Sequence, residues 1–229
     1  GYMNNERSAL LLGNEALEIL KNKTVLVVGI GGVGSFCVEA LARTEIGHLM
    51  LVDKDKVEAS NLARQLLATT ETIDQVKVAV MKKRIQTLNP ECKVDMYDCF
   101  YDCSMDEKIF SQKIDFVIDC IDSIKSKQDL AMACIQRDIP FLSSMGTARR
   151  LDPSKLEIME LEKTSYDPIA KRMRNWKRKN KIRNKIWVVC STEPPRPVEA
   201  GKPLPSMIFV PASAGLLLAS ECVKKLINK

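Results

Sequence analysis

A glycine-rich turn that directly follows a strand places the tightest constraint on how this chain can fold. Residues 24–28 are mostly β-branched or leucine, which is typical of a strand buried on both faces of a parallel sheet. Gly29, Gly31 and Gly34 follow at Gly-x-Gly-x-x-Gly spacing. The pattern predicts a strand, a tight turn and a helix, in which Gly29 permits the turn and Gly34 lets the helix pack close to the strand.

The residues around and after this turn favour a nucleotide ligand. Gly31 and Gly32 lack a Cβ, so a ligand can approach the backbone, and the free N–H groups at the start of the helix favour a phosphate. Residues 48–53 predict a second strand that ends in Asp53, whose carboxylate can accept hydrogen bonds from ribose hydroxyls. The turn alone also fits a purely structural role, and its combination with Asp53 indicates nucleotide binding.

The polar residues after the second strand favour a triphosphate over a dinucleotide. A nicotinamide-dependent dehydrogenase would continue from its ribose-binding acid into another βαβ unit. In this chain a helix is instead predicted for residues 74–88. Polar residues precede it at Asn61, Arg64 and Gln65, and Lys77 lies within it. Arg64 and Lys77 together suit the charge of a triphosphate, although either one alone also fits a solvated helix charge.

A second acid, Asp122, follows a third buried strand that is predicted for residues 115–120. Ser123 is expected to cap the helix that then runs to Arg137. Asp122 would therefore lie at the carboxyl ends of the parallel strands, where open α/β sheets bind ligands. Its carboxylate can hold Mg²⁺ on a triphosphate, and its alternative role is a loop cap.

The remaining pattern predicts a single α/β domain over residues 1–229, with a Rossmann-like, doubly wound, mostly parallel sheet and flanking helices. A helix is expected over residues 7–21, and a last helix near the end of the sequence. Further strands are expected at about residues 93–98, 140–144, 156–161, 186–189 and 206–210. With 229 residues and 45% hydrophobic side chains, the chain can bury one sizeable core.

A basic segment at about residues 168–185 has a different character. From Lys171 to Lys185 it contains nine Lys or Arg, no acid and one aromatic residue, Trp176. A solvated helix normally mixes charges of both signs, so the segment favours a polyanion such as nucleic acid, with a solvated or disordered loop as the alternative. The candidate RNA-binding residues are Lys171, Arg172, Arg174, Trp176, Lys177, Arg178, Lys179, Lys181 and Arg183.

The cysteines and the apolar segments argue against several classes of protein. Eight cysteines without a C-x-x-C pair indicate reduced thiols of a cytoplasmic protein rather than a disulfide framework or a structural zinc site. Cys99 and Cys103 have C-x-x-x-C spacing, which could supply half of a metal site, but the sequence shows no second pair of ligands for it. No targeting leader is expected, and the apolar run at 207–223 is interrupted and shorter than the ~20 residues of a membrane span. No membrane insertion is expected, and the single histidine, His48, has no assigned role.

Several of these motifs resemble those of the ubiquitin-activating enzymes and their bacterial sulfur-carrier relatives of the ThiF, MoeB and HesA type. The resemblance covers nearly the whole chain and rests on Gly-Ile-Gly-Gly-Val-Gly-Ser, Leu-Val-Asp-Lys-Asp, Asn-Leu-Ala-Arg-Gln, Lys77 and Asp-Cys-Ile-Asp-Ser. Residues 163–171, 190–193, 209–211 and 214–215 resemble in particular the tRNA threonylcarbamoyladenosine dehydratases. These enzymes use ATP to cyclise the threonylcarbamoyl group on the adenosine beside the anticodon.

The resemblance implies an adenylation fold, ATP with Mg²⁺, the anticodon arm of a tRNA, and a homodimer. Matching motifs imply that ATP or its magnesium is contacted by Gly32, Asp53, Ser60, Asn61, Arg64, Lys77, Asp122 and Ser123. Arg7 matches an arginine that reaches the triphosphate of the partner subunit, so Arg7, Arg64, Lys77 and Asp122 are the expected catalytic residues, with Asp122 as the metal ligand. The two C-x-x-C zinc pairs that are common in sulfur-carrier activators are missing from the sequence, which argues against that branch and against structural zinc. The sequence leaves open whether a monovalent cation binds.

The implied reaction begins with attack of the threonyl carboxylate on the α-phosphorus of ATP, after which the neighbouring carbamoyl group closes the ring and expels AMP. Both reacting groups belong to one substrate, so no protein nucleophile is required. Cys190 thus has two interpretations, a packing residue at a strand end and a thioester- or persulfide-forming cysteine. Two other functions stay open: adenylation of the C-terminus of a ubiquitin-like sulfur carrier, and a sulfur-relay scaffold that recruits a cysteine desulfurase.

Overall fold

The computed structural model of the chain describes residues 4–228. Its strands are β1 Thr24–Val28, β2 His48–Val52, β3 Lys93–Tyr97, β4 Phe116–Asp119, β5 Phe141–Ser144, β6 Leu156–Glu160 and β7 Trp187–Ser191. They form one sheet with the order β3-β2-β1-β4-β5-β7-β6. Every neighbouring pair is parallel except β6 and β7, so the prediction of an α/β fold with a mostly parallel sheet is confirmed.

Helices cover both faces of this sheet. Within residues 4–228 the α-helices are α1 Glu6–Leu12, α2 Asn14–Lys21, α3 Gly34–Arg43, α4 Lys77–Leu88, α5 Asp106–Ile109, α6 Ile124–Arg137, α7 Pro168–Lys179 and α8 Phe209–Leu226. Val25 and Val27 of β1 belong to a core with residues of α2, α3, α4 and α8, whereas Leu26 and Val28 belong to a second core with residues of α6. Because side chains alternate along a strand, both faces of β1 are buried, as its continuous apolar run predicts.

A third and smaller core joins the basic segment to the sheet. Met173 of α7 is buried there together with Cys190 of β7. The segment is a helix over most of its length rather than a loop, because Asp167 caps it by accepting a hydrogen bond from the Ala170 N–H (3.1 Å) and Pro168 begins it. Most of the basic residues are therefore held by a packed helix, whereas Lys181, Arg183 and Lys185 follow its end.

Three predicted elements differ from the structure. The helix expected over residues 7–21 is divided into α1 and α2 by Gly13, whose φ of 90° and ψ of 152° are not helical. The helix expected to begin at Asp74 begins at Lys77, because Asp74 adopts a left-handed φ of 69°. The strand expected at residues 206–210 is wrong: α8 begins at Phe209, since a short apolar run of this kind fits a buried helix as well as a strand.

The register of β1 brings loops from three strands to one edge of the sheet. Val28 pairs with Val52 of β2 and with Asp119 of β4. The Gly29 N–H donates to the Val52 carbonyl (2.9 Å), and the Cys120 N–H donates to the Val28 carbonyl (2.8 Å). The chain proceeds from β1 to β2 and β3 on one side and later to β4 on the other, so the strand order reverses there and a crevice opens at the carboxyl ends.

The eight cysteines are free thiols. The Sγ atom of Cys99 lies 3.5 Å from the sulfur of Met105, and Cys103 is exposed. Among residues 4–228, no three His, Cys, Asp or Glu side chains are grouped so that they could hold a metal ion. In the same part of the chain, no helix has the length and apolarity that crossing a bilayer requires.

Candidate active site

A cavity of about 620 Å³ lies at the carboxyl ends of β1, β2, β4 and β5. Eight residues predicted to bind the nucleotide line its wall: Gly29, Gly31, Gly32, Asp53, Arg64, Lys77, Asp122 and Ser123. Residues that are far apart in the sequence thus meet at the edge where the strand order reverses. Open α/β sheets bind their ligands at this position.

The glycine turn is too tight for side chains at two positions. Gly29 has a φ of 92°, and a Cβ on it would overlap the carbonyl oxygen of Cys120. A Cβ on Gly34 would overlap the carbonyl oxygen of Gly29, because α3 begins immediately after the turn. Val33 precedes α3, and within the described residues its side chain does not cap the helix. The Ser35 N–H already donates to the Gly31 carbonyl (3.0 Å), which leaves the other N–H groups of the first turn for a ligand.

Asp53 supports the glycine turn and also faces the cavity. Its Oδ2 accepts a hydrogen bond from the Ile30 N–H (2.8 Å), and its Oδ1 accepts one from the Asp55 N–H (2.7 Å). Burial raises the pKa of the Asp53 carboxyl, against the opposing effect of these two hydrogen bonds and of the charge on Lys77. The carboxylate that the sequence assigns to ribose binding therefore also holds the turn in place.

Two cations face the cavity from different elements. Lys77 is the first residue of α4 and is buried, with its Nζ 4.0 Å from an oxygen of Asp55. At that distance the two groups attract each other without a hydrogen bond. Arg64 is partly buried, and its Nη1 donates to the Ser60 carbonyl (3.3 Å). Both cations keep donors for an anion in the cavity.

Asp122 and Ser123 form the wall at the end of β4. Asp122 is exposed, and Ser123 directly precedes α6. The expectation that the Ser123 side chain caps α6 is wrong, since its hydroxyl makes no capping hydrogen bond within residues 4–228. The Ser123 hydroxyl and the Asp122 carboxylate are therefore both placed for a ligand or a ligand-bound cation. A single carboxylate suits Mg²⁺ that takes its other ligands from phosphate and water.

A buried ion pair lies beneath the turn that carries Asp122. The Nζ of Lys127 is 3.1 Å from each carboxylate oxygen of Asp119, and both side chains are almost fully buried. Asp119 also accepts hydrogen bonds from the Ile121 N–H (2.9 Å) and from the Ser143 hydroxyl. The carboxylate thus ties β4, β5 and α6 together at the cavity edge. Sequence reasoning missed this pair, and an acid at the end of an apolar strand is the one signal that marks it.

Gln65 provides a hydrogen-bond acceptor at the cavity wall. Its side chain is buried, and its Oε1 has no hydrogen-bond partner among the described residues. Buried polar atoms are almost always paired in native proteins. The Oε1 therefore fits a donor from a ligand, such as a hydroxyl or amino group of a nucleotide.

Four predicted residues do not line the cavity. Ser60 is exposed on a 3₁₀ turn, and the buried Asn61 side chain accepts a hydrogen bond from the Glu58 N–H (2.8 Å). Arg7 is exposed on α1. Cys190 is buried on β7, and burial raises the pKa of its thiol to about 12, which disfavours the reactive thiolate. Ligand contacts of Ser60, Asn61 and Arg7 stay predictions.

The predicted RNA-binding residues fall into two groups. Arg174 donates to the carbonyl and hydroxyl of Thr164, and the buried Lys177 pairs with Glu162. Trp176 is partly buried against the third core. The exposed side chains form the basic surface, which consists of Lys171, Arg172, Arg178, Lys179, Lys181 and Arg183.

Other parts of the wall were not assigned to the site from the sequence. Residues 144–150 follow β5, and residues 167–169 include the beginning of α7. Phe100 and Tyr101 follow β3, and the Nζ of Lys54 lies 5.0 Å from the centre of the Phe100 ring. These segments reach the cavity through the packing of the sheet. Residues 167–169 belong to a stretch that carries the family resemblance, but neither they nor the other segments were assigned a role at the site.

The chain is similar to characterised proteins in both sequence and structure. Residues 4–229 match the ThiF family. The chain is 42% identical to the tRNA threonylcarbamoyladenosine dehydratase of Bacillus subtilis (strain 168), over 97% of this chain and 94% of that protein. A crystal structure of the Escherichia coli tRNA N6-threonylcarbamoyladenosine dehydratase TcdA in complex with AMP matches with a TM-score of 0.91 and 34% identity, covering 97% of this chain and 93% of that one. A crystal structure of TcdA in complex with ATP matches with a TM-score of 0.90 at the same identity and coverage.

Proposed function

The chain belongs to the ThiF family, and on this premise we propose that it is an ATP-dependent tRNA threonylcarbamoyladenosine dehydratase. The observation that carries the proposal is the cavity in which the glycine turn, two cations and Asp122 converge. Such a site suits the activation of a carboxylate by a nucleoside triphosphate. The similarity to the Bacillus subtilis dehydratase over most of both chains supports the choice of substrate.

ATP binds with its phosphates at the glycine turn and its ribose at Asp53. Arg64 and Lys77 neutralise the triphosphate, and the orphaned Oε1 of Gln65 accepts a hydrogen bond from the nucleotide. Asp122 would hold Mg²⁺, which when bound would stabilise the negative charge that develops on the leaving pyrophosphate. All the residues with these roles line the cavity, so their polar groups already lie close together without a bound substrate.

The reaction has two steps on one substrate. The threonyl carboxylate attacks the α-phosphorus of ATP, which gives an acyl adenylate and releases pyrophosphate. The carbamoyl group then attacks the activated carbonyl, closes a five-membered ring and expels AMP, which carries away the carboxylate oxygen. Because the two groups are tethered, the effective molarity can reach ~10⁵ M or more. The buried Cys190 is left as a packing residue.

The proposed enzyme is a homodimer. Within the described chain no residue of α1 is buried, and Leu10 and Leu11 of this helix are 81% and 82% exposed. Apolar side chains this exposed fit contact with a second subunit better than contact with water. Such a contact would carry Arg7, on the same helix, toward the triphosphate bound by the partner subunit.

The tRNA is held by the basic surface along α7 and the residues that follow it. Lys and Arg contact RNA mainly through its phosphates, and the partly exposed ring of Trp176 can stack on an unpaired base. A tRNA substrate supports a cytoplasmic location for the proposed enzyme. A cysteine desulfurase partner is not required by this chemistry.

An isotope experiment tests the proposed reaction. The protein is incubated with ATP, Mg²⁺ and tRNA whose threonylcarbamoyl carboxylate is labelled with ¹⁸O. We expect the modified nucleoside to lose the elements of one labelled water, H₂¹⁸O, only when ATP is present, with that ¹⁸O recovered in AMP. Unmodified tRNA is the matched control, and it should yield neither product.

Two results would contradict the proposal. Label in inorganic phosphate, with ADP as the product, would show phosphorylation of the carboxylate instead of adenylation. AMP formation with a ubiquitin-like carrier protein, and none with the modified tRNA, would favour the sulfur-carrier adenylyltransferase.

A further inference from the structure

Arg150 is a buried arginine at the cavity wall whose hydrogen-bond donors are all in use. A guanidinium has five N–H donors. The five acceptors around Arg150 are the carbonyls of Glu193 (3.2 Å), Gly146 (3.1 Å), Ala148 (3.0 Å) and Tyr166 (2.8 Å), and Oδ1 of Asp167 (3.3 Å). The side chain joins three segments of the chain and has no donor left for a substrate.

Asp167 connects the same wall to the basic helix. Its Oδ2 accepts hydrogen bonds from the Gly146 N–H (3.0 Å) and from the Ala170 N–H (3.1 Å), the second of which caps α7. Its Oδ1 faces Arg150, and both side chains are almost fully buried. One carboxylate therefore fixes the beginning of α7 against the segment that follows β5.

The backbone around this ion pair is held in an unusual conformation. Arg149 and Tyr166 have left-handed φ values of 69° and 60°, and each directly precedes one member of the pair. Residues without a glycine's freedom keep such values only where their surroundings enforce them, and they are frequent at functional sites. Gly146 packs directly against the pair, since a Cβ on it would lie 2.5 Å from Oδ1 of Asp167 and 3.3 Å from Arg150.

We propose that the Arg150–Asp167 pair is a positioning device that holds the cavity wall and α7 in one fixed arrangement. RNA bound at the basic surface would then present its reacting adenosine at a set position relative to the nucleotide at the glycine turn. Both residues line the cavity, and α7 carries part of the basic surface. The coupling to RNA rests on the proposed function, whereas the fixed arrangement of the wall does not.

Two substitutions weaken the Arg150–Asp167 ion pair while Asp167 or its replacement can still cap α7. Asp167→Asn keeps one oxygen for the N–H groups of Gly146 and Ala170 but turns an amide N–H toward the guanidinium. Arg150→Lys offers at most three donors to five acceptors. The matched control is Arg84→Lys, because Arg84 is also paired with a carboxylate, that of Glu39, through two hydrogen bonds of its own, and it lies outside the cavity wall.

The full-length variants are compared by hydrogen exchange, calorimetry with ATP, and kinetics with modified tRNA. In Asp167→Asn we expect residues 145–150 and 166–170 to exchange about tenfold faster or more, and residues 29–34 to stay unchanged. The affinity for ATP should stay within about twofold in both variants of the pair, while kcat/KM for the tRNA falls ~10²-fold. Arg84→Lys should change none of these quantities.

Several outcomes would overturn the inference. The inference is wrong if both variants of the pair keep the kcat/KM of the wild-type protein for the tRNA. It is also wrong if their affinity for ATP falls in parallel with kcat/KM, because that result would indicate a general structural effect. If the wild-type protein does not cyclise the modified nucleoside at all, the proposed function fails and the exchange data decide the inference alone. Unaltered exchange then overturns it, and faster exchange confined to the two segments supports it.

Discussion

Replacement of Lys127 by Met should destabilise the protein strongly. The Nζ of Lys127 lies 3.1 Å from both oxygens of Asp119, and its side chain is only 1% exposed. Removal of the cation leaves a buried carboxylate without a counter-charge, which costs about 3–5 kcal/mol of unfolding free energy. The hydrogen bonds of Asp119 to Ile121 and Ser143 persist but cannot replace a full charge.

The neighbouring helix turn offers a matched control. Lys125 is also on α6 and also contacts an aspartate, Asp129, at 2.8 Å, but its side chain is 80% exposed. Lys125→Met should therefore cost about 0–1 kcal/mol, because water screens an exposed pair. The double variant Asp119→Asn/Lys127→Met should recover most of the loss, since a neutral amide can keep the hydrogen bond from Ile121.

Urea unfolding followed by circular dichroism measures these differences, with an unchanged m-value as evidence that two-state unfolding holds. Calorimetry with ATP adds a functional measurement. The ion pair fixes the turn that carries Asp122 and Ser123, so Lys127→Met should also weaken ATP binding, and Lys125→Met should not. A loss below about 1 kcal/mol for Lys127→Met, equal to that of the control, would refute the claim that this pair is buried and structurally required.

Three further predictions concern other parts of the site. Burial raises the pKa of the Asp53 carboxyl above its usual 3.8, so the folded protein keeps the carboxyl proton to a higher pH than the unfolded chain does. The free energy of unfolding should therefore fall as the pH rises from 3.8 through the pKa of the folded state. Unfolding measured against pH should lack this slope in Asp53→Asn, and an identical slope would contradict it. The double variant Arg178→Gln/Lys179→Gln should lower the slope of log binding constant against log salt by about 0.7 for each lost phosphate contact, whereas Lys177→Gln should lower stability and leave the slope unchanged. Filter binding at several salt concentrations distinguishes them, and equal slopes would refute the division of the basic residues. Cys190→Ala should retain AMP formation with modified tRNA, since burial raises the thiol pKa to about 12, and complete loss of AMP formation in a folded variant would restore a chemical role for this cysteine.

Local sequence was sufficient for the parts of the site that depend on neighbouring residues. The apolar run of β1, the glycines after it and Asp53 at the end of β2 are each defined within a few positions, and the structure places them together at the cavity. Asp122 could be placed because parallel strands end at a common edge. The same reasoning failed at residues 206–210, where an apolar run fits a helix and a strand equally well.

Charge counts from sequence do not show which charges are exposed. Lys177 and Arg174 belong to the same basic run as Arg178, yet the first pairs with Glu162 and the second bonds to Thr164. Met173 packs into the third core, so its side of α7 faces the sheet. This packing decides which basic residues of the helix are exposed.

The amino-acid sequence by itself determined the sheet class, the glycine turn and the acids at the strand ends, because these depend on short-range periodicity and backbone sterics. Only the tertiary structure decided the roles of Arg150 and Lys127. Each lies near another cation in the sequence, Arg149 or Lys125, and the acid that pairs with each comes from another element of the chain. A buried charge is defined by the groups that surround it in space, and those groups are assembled only when the sheet and its helices pack.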